Sequence, residues 1–149
     1  MQLEHDVKRE ILAAMKAKDQ GRLRGLRAIK AAIQLAKTEK GASGDLSDEA
    51  GVRILQKLVK QRRESMEIYA EQGRDDLLAK EREEVAVIES FLPEQMDGDE
   101  LRAVLQRIID EEGAASMRDM GRVMGRASKE LAGRADGKLM AQMVKDLLS

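Results

Sequence analysis

Apolar side chains recur three and four residues apart along most of this chain. Leu23, Leu26, Ile29 and Ile33 follow that spacing, as do Val52, Leu55, Val59, Met66 and Tyr69, with Arg62 as one polar break. The period sets a stripe along one face of an α-helix, whereas a strand alternates its sides at every second residue. Sheets also favour aromatic side chains, and this chain has one Phe, one Tyr and no Trp. The predicted fold class is all-α.

Seven amphipathic segments carry the pattern. The first spans 2–18, with Leu3, Val7, Ile11, Ala14 and Met15 on one face, and the second spans 21–40. The third, 48–72, is the longest and reads as a heptad seam. The fourth, 75–91, presents Leu78, Val85 and Ile88, with Leu92 following. Three shorter helices are expected at 98–112, 117–131 and 137–148. Their apolar positions are Leu101, Val104, Leu105 and Ile108; Met117, Met120, Met124 and Ala127; and Leu139, Met143 and Leu147.

The punctuation agrees with the periods. Gly41 to Ser47 reads as a loop, and Ser47, Asp97, Ser116 and Asp136 as helix N-caps, because their side-chain oxygens can accept from otherwise unpaired amides. Gly73 is a C-terminal stop. Pro93, the only proline, disfavours helix at Leu92. The expected organisation is an N-terminal antiparallel helical bundle over 1–93 and a small three-helix module over 94–149.

Much chemistry is excluded. Without cysteine there is no disulfide, thiol nucleophile or cysteine-held metal. A triad would have to use His5, the only histidine. Carboxylate pairs such as Glu83-Glu84 and Glu111-Glu112 are adjacent, point in different directions, and read as solvated faces. There is no calcium loop and no phosphate loop. No catalytic residue, metal or cofactor is therefore expected. No apolar run is long enough for a membrane span, the opening residues are too charged for a signal peptide, and a cytoplasmic location is expected.

Net charge is −1, so contact with nucleic acid would need local patches. One basic stretch, from Lys16 to Lys40, includes Arg22, Arg24, Arg27, Lys30 and Lys37. In the other, Arg118, Arg122, Arg126 and Lys129 step by four, four and three into one stripe, with Arg134 and Lys138 following. The stripe reads either as an ordinary solvated face or as a phosphate-contact surface. Gly121 and Gly125 sit beside it within a helical pattern, each costing about 1 kcal/mol relative to Ala. They imply close approach of a neighbouring helix or of a nucleic-acid backbone. Gly133 and Gly137 frame a turn whose following amides, with Arg134 and Lys138, could also meet phosphate. With so few aromatics, an RNA partner would be read by shape and backbone charge rather than by base stacking.

Several segments in order carry a resemblance: LRAIKAAI (26–33), KQRRES (60–65), Tyr69 with EQGRDDL (71–77), FLPEQM (91–96), GAASMRDMGRVMG (113–125) and GRADG (133–137). Together they resemble the YqeY family, which is similar to the tail domain of the B subunit of glutamyl/aspartyl-tRNA amidotransferase (GatB). The resemblance implies a helical bundle followed by a three-helix module that serves in relatives as a tRNA-binding attachment. It carries over onto Asp119, Met120, Gly121, Arg122, Gly125, Arg134, Asp136 and Gly137. It also implies an association with glutamine-dependent carbon–nitrogen ligase chemistry. The catalytic bodies of those enzymes do not fit into 149 residues. The expectation is a non-catalytic accessory protein contacting tRNA or an aminoacylation or amidotransferase complex. The alternative is a protein–protein adaptor that docks through its long heptad helix without RNA contact.

Overall fold

The computed structural model describes residues 1–39 and 46–149. Most of the Gly41–Ser47 loop and Lys40 lie outside the described residues. Among the described residues seven α-helices follow in order: α1 (Gln2–Ala17), α2 (Gln20–Glu39), α3 (Asp48–Glu71), α4 (Asp75–Glu89), α5 (Gly98–Glu112), α6 (Met120–Glu130) and α7 (Gly137–Leu148). A 3-10 turn, Met117–Asp119, precedes α6, and there is no strand among the described residues. The fold is all-α. The helices form two compact units, Met1–Leu92 and Pro93–Ser149.

Local chemistry sets the helix ends. Ser47 accepts from the Ala50 amide at 3.1 Å, Asp97 from Glu100 at 2.8 Å and Asp136 from Leu139 at 3.1 Å. Each satisfies one of the orphan donors at a helix start. Asp19 does the same for α2, accepting from Arg22 at 3.1 Å. Beyond α3, Gly73 takes the left-handed conformation at φ 67°, and the Arg74 amide turns back onto the Tyr69 carbonyl at 2.9 Å.

In the first unit, helix directions follow from side-chain pairs. Lys37 meets Glu4 while Arg22 meets Glu10, so α2 runs antiparallel to α1. Arg62 faces Glu84 at 3.7 Å and Arg63 pairs with Glu89, which sets α4 back along α3 after the tight turn between them. Gly21 lies against Glu83 and Gly25 against Val87, so α2 and α4 run parallel. The α2 stripe of Leu23, Leu26, Ile29 and Ile33 is buried throughout. It joins Val7 and Ala14 of α1, Leu55 of α3 and Val87 and Ile88 of α4. Met15, expected on the inner face of α1, is 52% exposed, and Phe91 is half-buried. Tyr69 and Phe91 both belong to this unit.

Gly25 supplies a close approach of α2 to α4. A Cβ there would lie 2.7 Å from Val87 Cβ. Arg62, the polar break in the α3 seam, and Glu81 each carry a buried polar atom without a hydrogen-bond partner among the described residues, at Nε and Oε2. Desolvation, and then the like charge of Glu84, raise the Glu81 carboxyl above the usual carboxylate range, with Arg62 partly opposing. An acid whose folded pKa is raised adds stability below its unfolded pKa and loses it as pH rises through the folded value. Glu81→Gln is therefore expected to raise the neutral-pH melting temperature. The gap to wild type should close as pH falls through the carboxylate range, which paired thermal melts at stepped pH would check.

The second unit packs α5, α6 and α7 around Leu105, Ile108, Val123, Ala127 and Val144. Two positions expected in its core are on the surface: Met117 is 44% exposed and Leu139 46%. The buried face of α7 is Met140, Val144 and Leu148, one residue on from the expected Leu139, Met143 and Leu147; the latter two pack against the core from its edge. In α6 the buried residues are Val123 and, as expected, Ala127, with Met120 and Met124 at the margin. Adjacent apolar residues offer two helical registers, and the positions of α5 and α6 select between them.

Candidate nucleic-acid interface

Helix α6 begins where the Asp119 carboxylate accepts from the Ala115 and Ser116 amides at 2.9 and 3.3 Å. Those bonds hold the Asp119 pKa below its ordinary value. With Val123 and Ala127 turned inward, geometry puts Gly121, Arg122, Gly125, Arg126 and Lys129 on the outer side. With Glu112 they line an open groove of about 350 Å³.

Gly121 and Gly125 form the floor, and a Cβ at either would meet nothing within 4 Å among the described residues. Among the described residues of their own unit, close approach of a helix, one of the two explanations for them, is absent at these positions. The role falls to Gly25 instead. The outer glycines of α6 give up helix propensity without any packing return inside their own unit.

The guanidinium groups beside the floor are engaged. Arg126 bonds Glu130 at 3.0 Å, Glu112 at 3.3 Å and Glu111. Arg122 reaches the Glu112 carboxylate at 3.5 Å, Asp119 at 3.3 Å and the Glu112 carbonyl at 3.0 Å. Arg107 of α5 closes the network, at 3.0 Å from Glu111 and 2.8 Å from Glu130. Arg126 and Arg107 hold the Glu111 carboxyl below the usual carboxylate range, and Arg107 and Arg126 do the same for Glu130. Glu111 and Glu112, expected as a plain solvated face, are thus partners of the arginines, as Glu83 is of Arg24 at 2.6 Å. The i,i+4 spacing of Arg126 and Glu130 is visible in sequence, but pairing across α5 and α6 needs the fold.

The other expected contact residues are dispersed. Arg118 is exposed in the 3-10 turn, outside the groove lining. Arg134 donates through Nε to the Glu94 carbonyl at 3.1 Å, and its own carbonyl accepts from the Met96 amide at 3.0 Å, tying the 93–97 segment to the turn before α7. Gly133 sits at φ 76° and its carbonyl accepts from Gln95 Nε2 at 2.6 Å, so its backbone serves that same tie. Gly137 opens α7 with nothing among the described residues within 4 Å of a Cβ, and Lys138 beside it is exposed. In the first basic stretch, Arg22, Arg24 and Lys37 are spent on bridges between helices.

Among the described residues no group of three or more His, Asp or Glu is placed to hold a metal ion, and no helix is long and apolar enough to cross a membrane. His5 is exposed. The model of one protein family, described as Yqey-like protein, matches residues 4–148. The protein described as altered inheritance of mitochondria protein 41, mitochondrial, from Pyrenophora tritici-repentis (strain Pt-1C-BFP) is 29% identical over 142 residues. The match covers 91% of this chain and 75% of that protein.

Proposed function

The chain belongs to the YqeY family, and from that premise we propose that it is a non-catalytic accessory protein whose α6 groove contacts the backbone of tRNA, free or within an aminoacylation or amidotransferase complex. The observation that carries the reading is the open floor of Gly121 and Gly125 flanked by Arg122, Arg126 and Lys129. A bare stretch of helix backbone beside cations admits a sugar–phosphate chain closely, and phosphate contacts position without reading sequence. The cytoplasm is its proposed place of action; the fungal relative carries "mitochondrial" in its own name.

The test is binding of mixed tRNA across a salt series. Gly121→Ala with Gly125→Ala should stabilise α6, by up to about 1 kcal/mol per site, yet weaken binding by covering the floor. Arg122→Ala with Arg126→Ala should weaken binding and flatten its salt slope, by up to about 0.9 per lost phosphate contact on the B-DNA scale. Equal affinities and slopes in all three folded proteins would overturn the reading. They would favour an adaptor that docks through α3, where Ile68 is 52% exposed.

A further inference from the structure

The groove's Arg126 is already held by three carboxylates, of which Glu112 also lines the groove. Glu111, Glu112 and Glu130 converge on Arg126, and all are partly open to water, with side chains 45%, 27% and 34% exposed. An anion entering the groove must take guanidinium donors that already have partners. The displaced carboxylates return to solvent at little cost, but they stay close enough to repel the newcomer.

This competition separates ligands by how many groove cations they engage at once. A carboxylate on an acidic peptide offers Arg126 what Glu130 and Glu112 already provide, so the exchange gains nothing. A phosphodiester chain can lie along the bare glycine floor and engage Arg122, Arg126 and Lys129 together. Lys129 has no carboxylate within 4 Å among the described residues and is the cation available to a first contact.

We propose that Glu111, Glu112 and Glu130 are the specificity-determining residues of the α6 groove, acting as built-in competitors that admit an RNA phosphate backbone and turn away acidic polypeptides. The inference rests on the proposed tRNA reading of the same groove. Its geometric basis is the shared hold of the three carboxylates on Arg126 together with the uncovered glycine floor.

The experiment measures binding of mixed tRNA and of poly-L-glutamate to four full-length proteins. These are wild type, Glu111→Gln/Glu112→Gln/Glu130→Gln, the single Glu112→Gln, and Glu64→Gln/Glu67→Gln/Glu71→Gln. The last makes the same change in net charge at exposed α3 positions. Wild type should bind tRNA and not poly-L-glutamate. The groove triple variant should bind tRNA about ten-fold tighter, the combined effect of three exposed ion pairs, and should acquire poly-L-glutamate binding. Glu112→Gln should shift the same way by a smaller factor, which keeps the test decisive if the triple variant does not fold. The α3 variant should match wild type. Groove variants no tighter than the α3 variant, with wild type still binding tRNA, would overturn the competitor role alone. No tRNA binding by any of the four would overturn the groove reading itself, and this inference with it.

Discussion

Leu105→Ala is expected to destabilise the second unit by about 2–5 kcal/mol, most of the stability of so small a unit, with a smaller effect on the first. Leu105 is fully buried at the centre of the core shared by α5, α6 and α7. Truncating a buried leucine costs about 2–5 kcal/mol, the removed contacts plus the void left behind. A unit running only from Pro93 to Ser149, at about 0.05–0.15 kcal/mol per residue, has roughly 3–9 kcal/mol in total. Small domains bury a low fraction of their surface and have little reserve. Amide hydrogen exchange should show α5 to α7 losing more protection than α1 to α4. Leu139→Ala is the matched control: Leu139 is 46% exposed and its truncation should change stability by about 0.5 kcal/mol or less. Equal effects at the two positions would contradict the assigned inner face of this unit.

Gly25→Ala should destabilise the first unit by about 1–3 kcal/mol, the range for overpacking a filled core. Alanine is the better helix former, so propensity alone predicts the opposite sign. The reversal comes from Val87, whose Cβ and Cγ1 lie 2.7 and 2.9 Å from where the new methyl would sit. Cβ is fixed to the α4 backbone, so relief requires α2 and α4 to move apart. Val87→Ala removes the Cγ atoms and should make Gly25→Ala less costly in the double mutant than alone, a coupling of about 0.5–3 kcal/mol. Denaturant unfolding of the four members of this cycle would measure it. Additive effects would mean that the Val87 Cγ atoms do not meet the new methyl.

Both predictions turn on what sequence can and cannot convey. The α2 stripe is legible because Leu23, Leu26, Ile29 and Ile33 have polar or small neighbours, leaving one apolar face. In α7 the pairs Leu139-Met140, Met143-Val144 and Leu147-Leu148 leave two registers one residue apart. Only the surrounding helices decide between them, and they bury the second member of each pair. Caps at Ser47, Asp97 and Asp136 are local events and so were readable in the sequence. Gly25 was not, because its reason lies on α4, about sixty residues away. At the groove, residue types and spacing single out the glycines and arginines. That the floor is uncovered, and that Glu111 and Glu112 reach across to Arg122 and Arg126, are facts of helix placement.

The placement of Tyr69 and Phe91 gives the molecule an optical asymmetry. Both aromatic rings sit before Pro93, and the chain has no tryptophan. Tyrosine absorption and emission therefore report on α3 and its neighbours, while α5 to α7 are silent in the near ultraviolet. A single-wavelength tyrosine trace follows the melting of the unit that holds the rings, whereas backbone circular dichroism follows the helices of both units. A tryptophan placed at exposed Leu139 would make the second unit visible without entering its core.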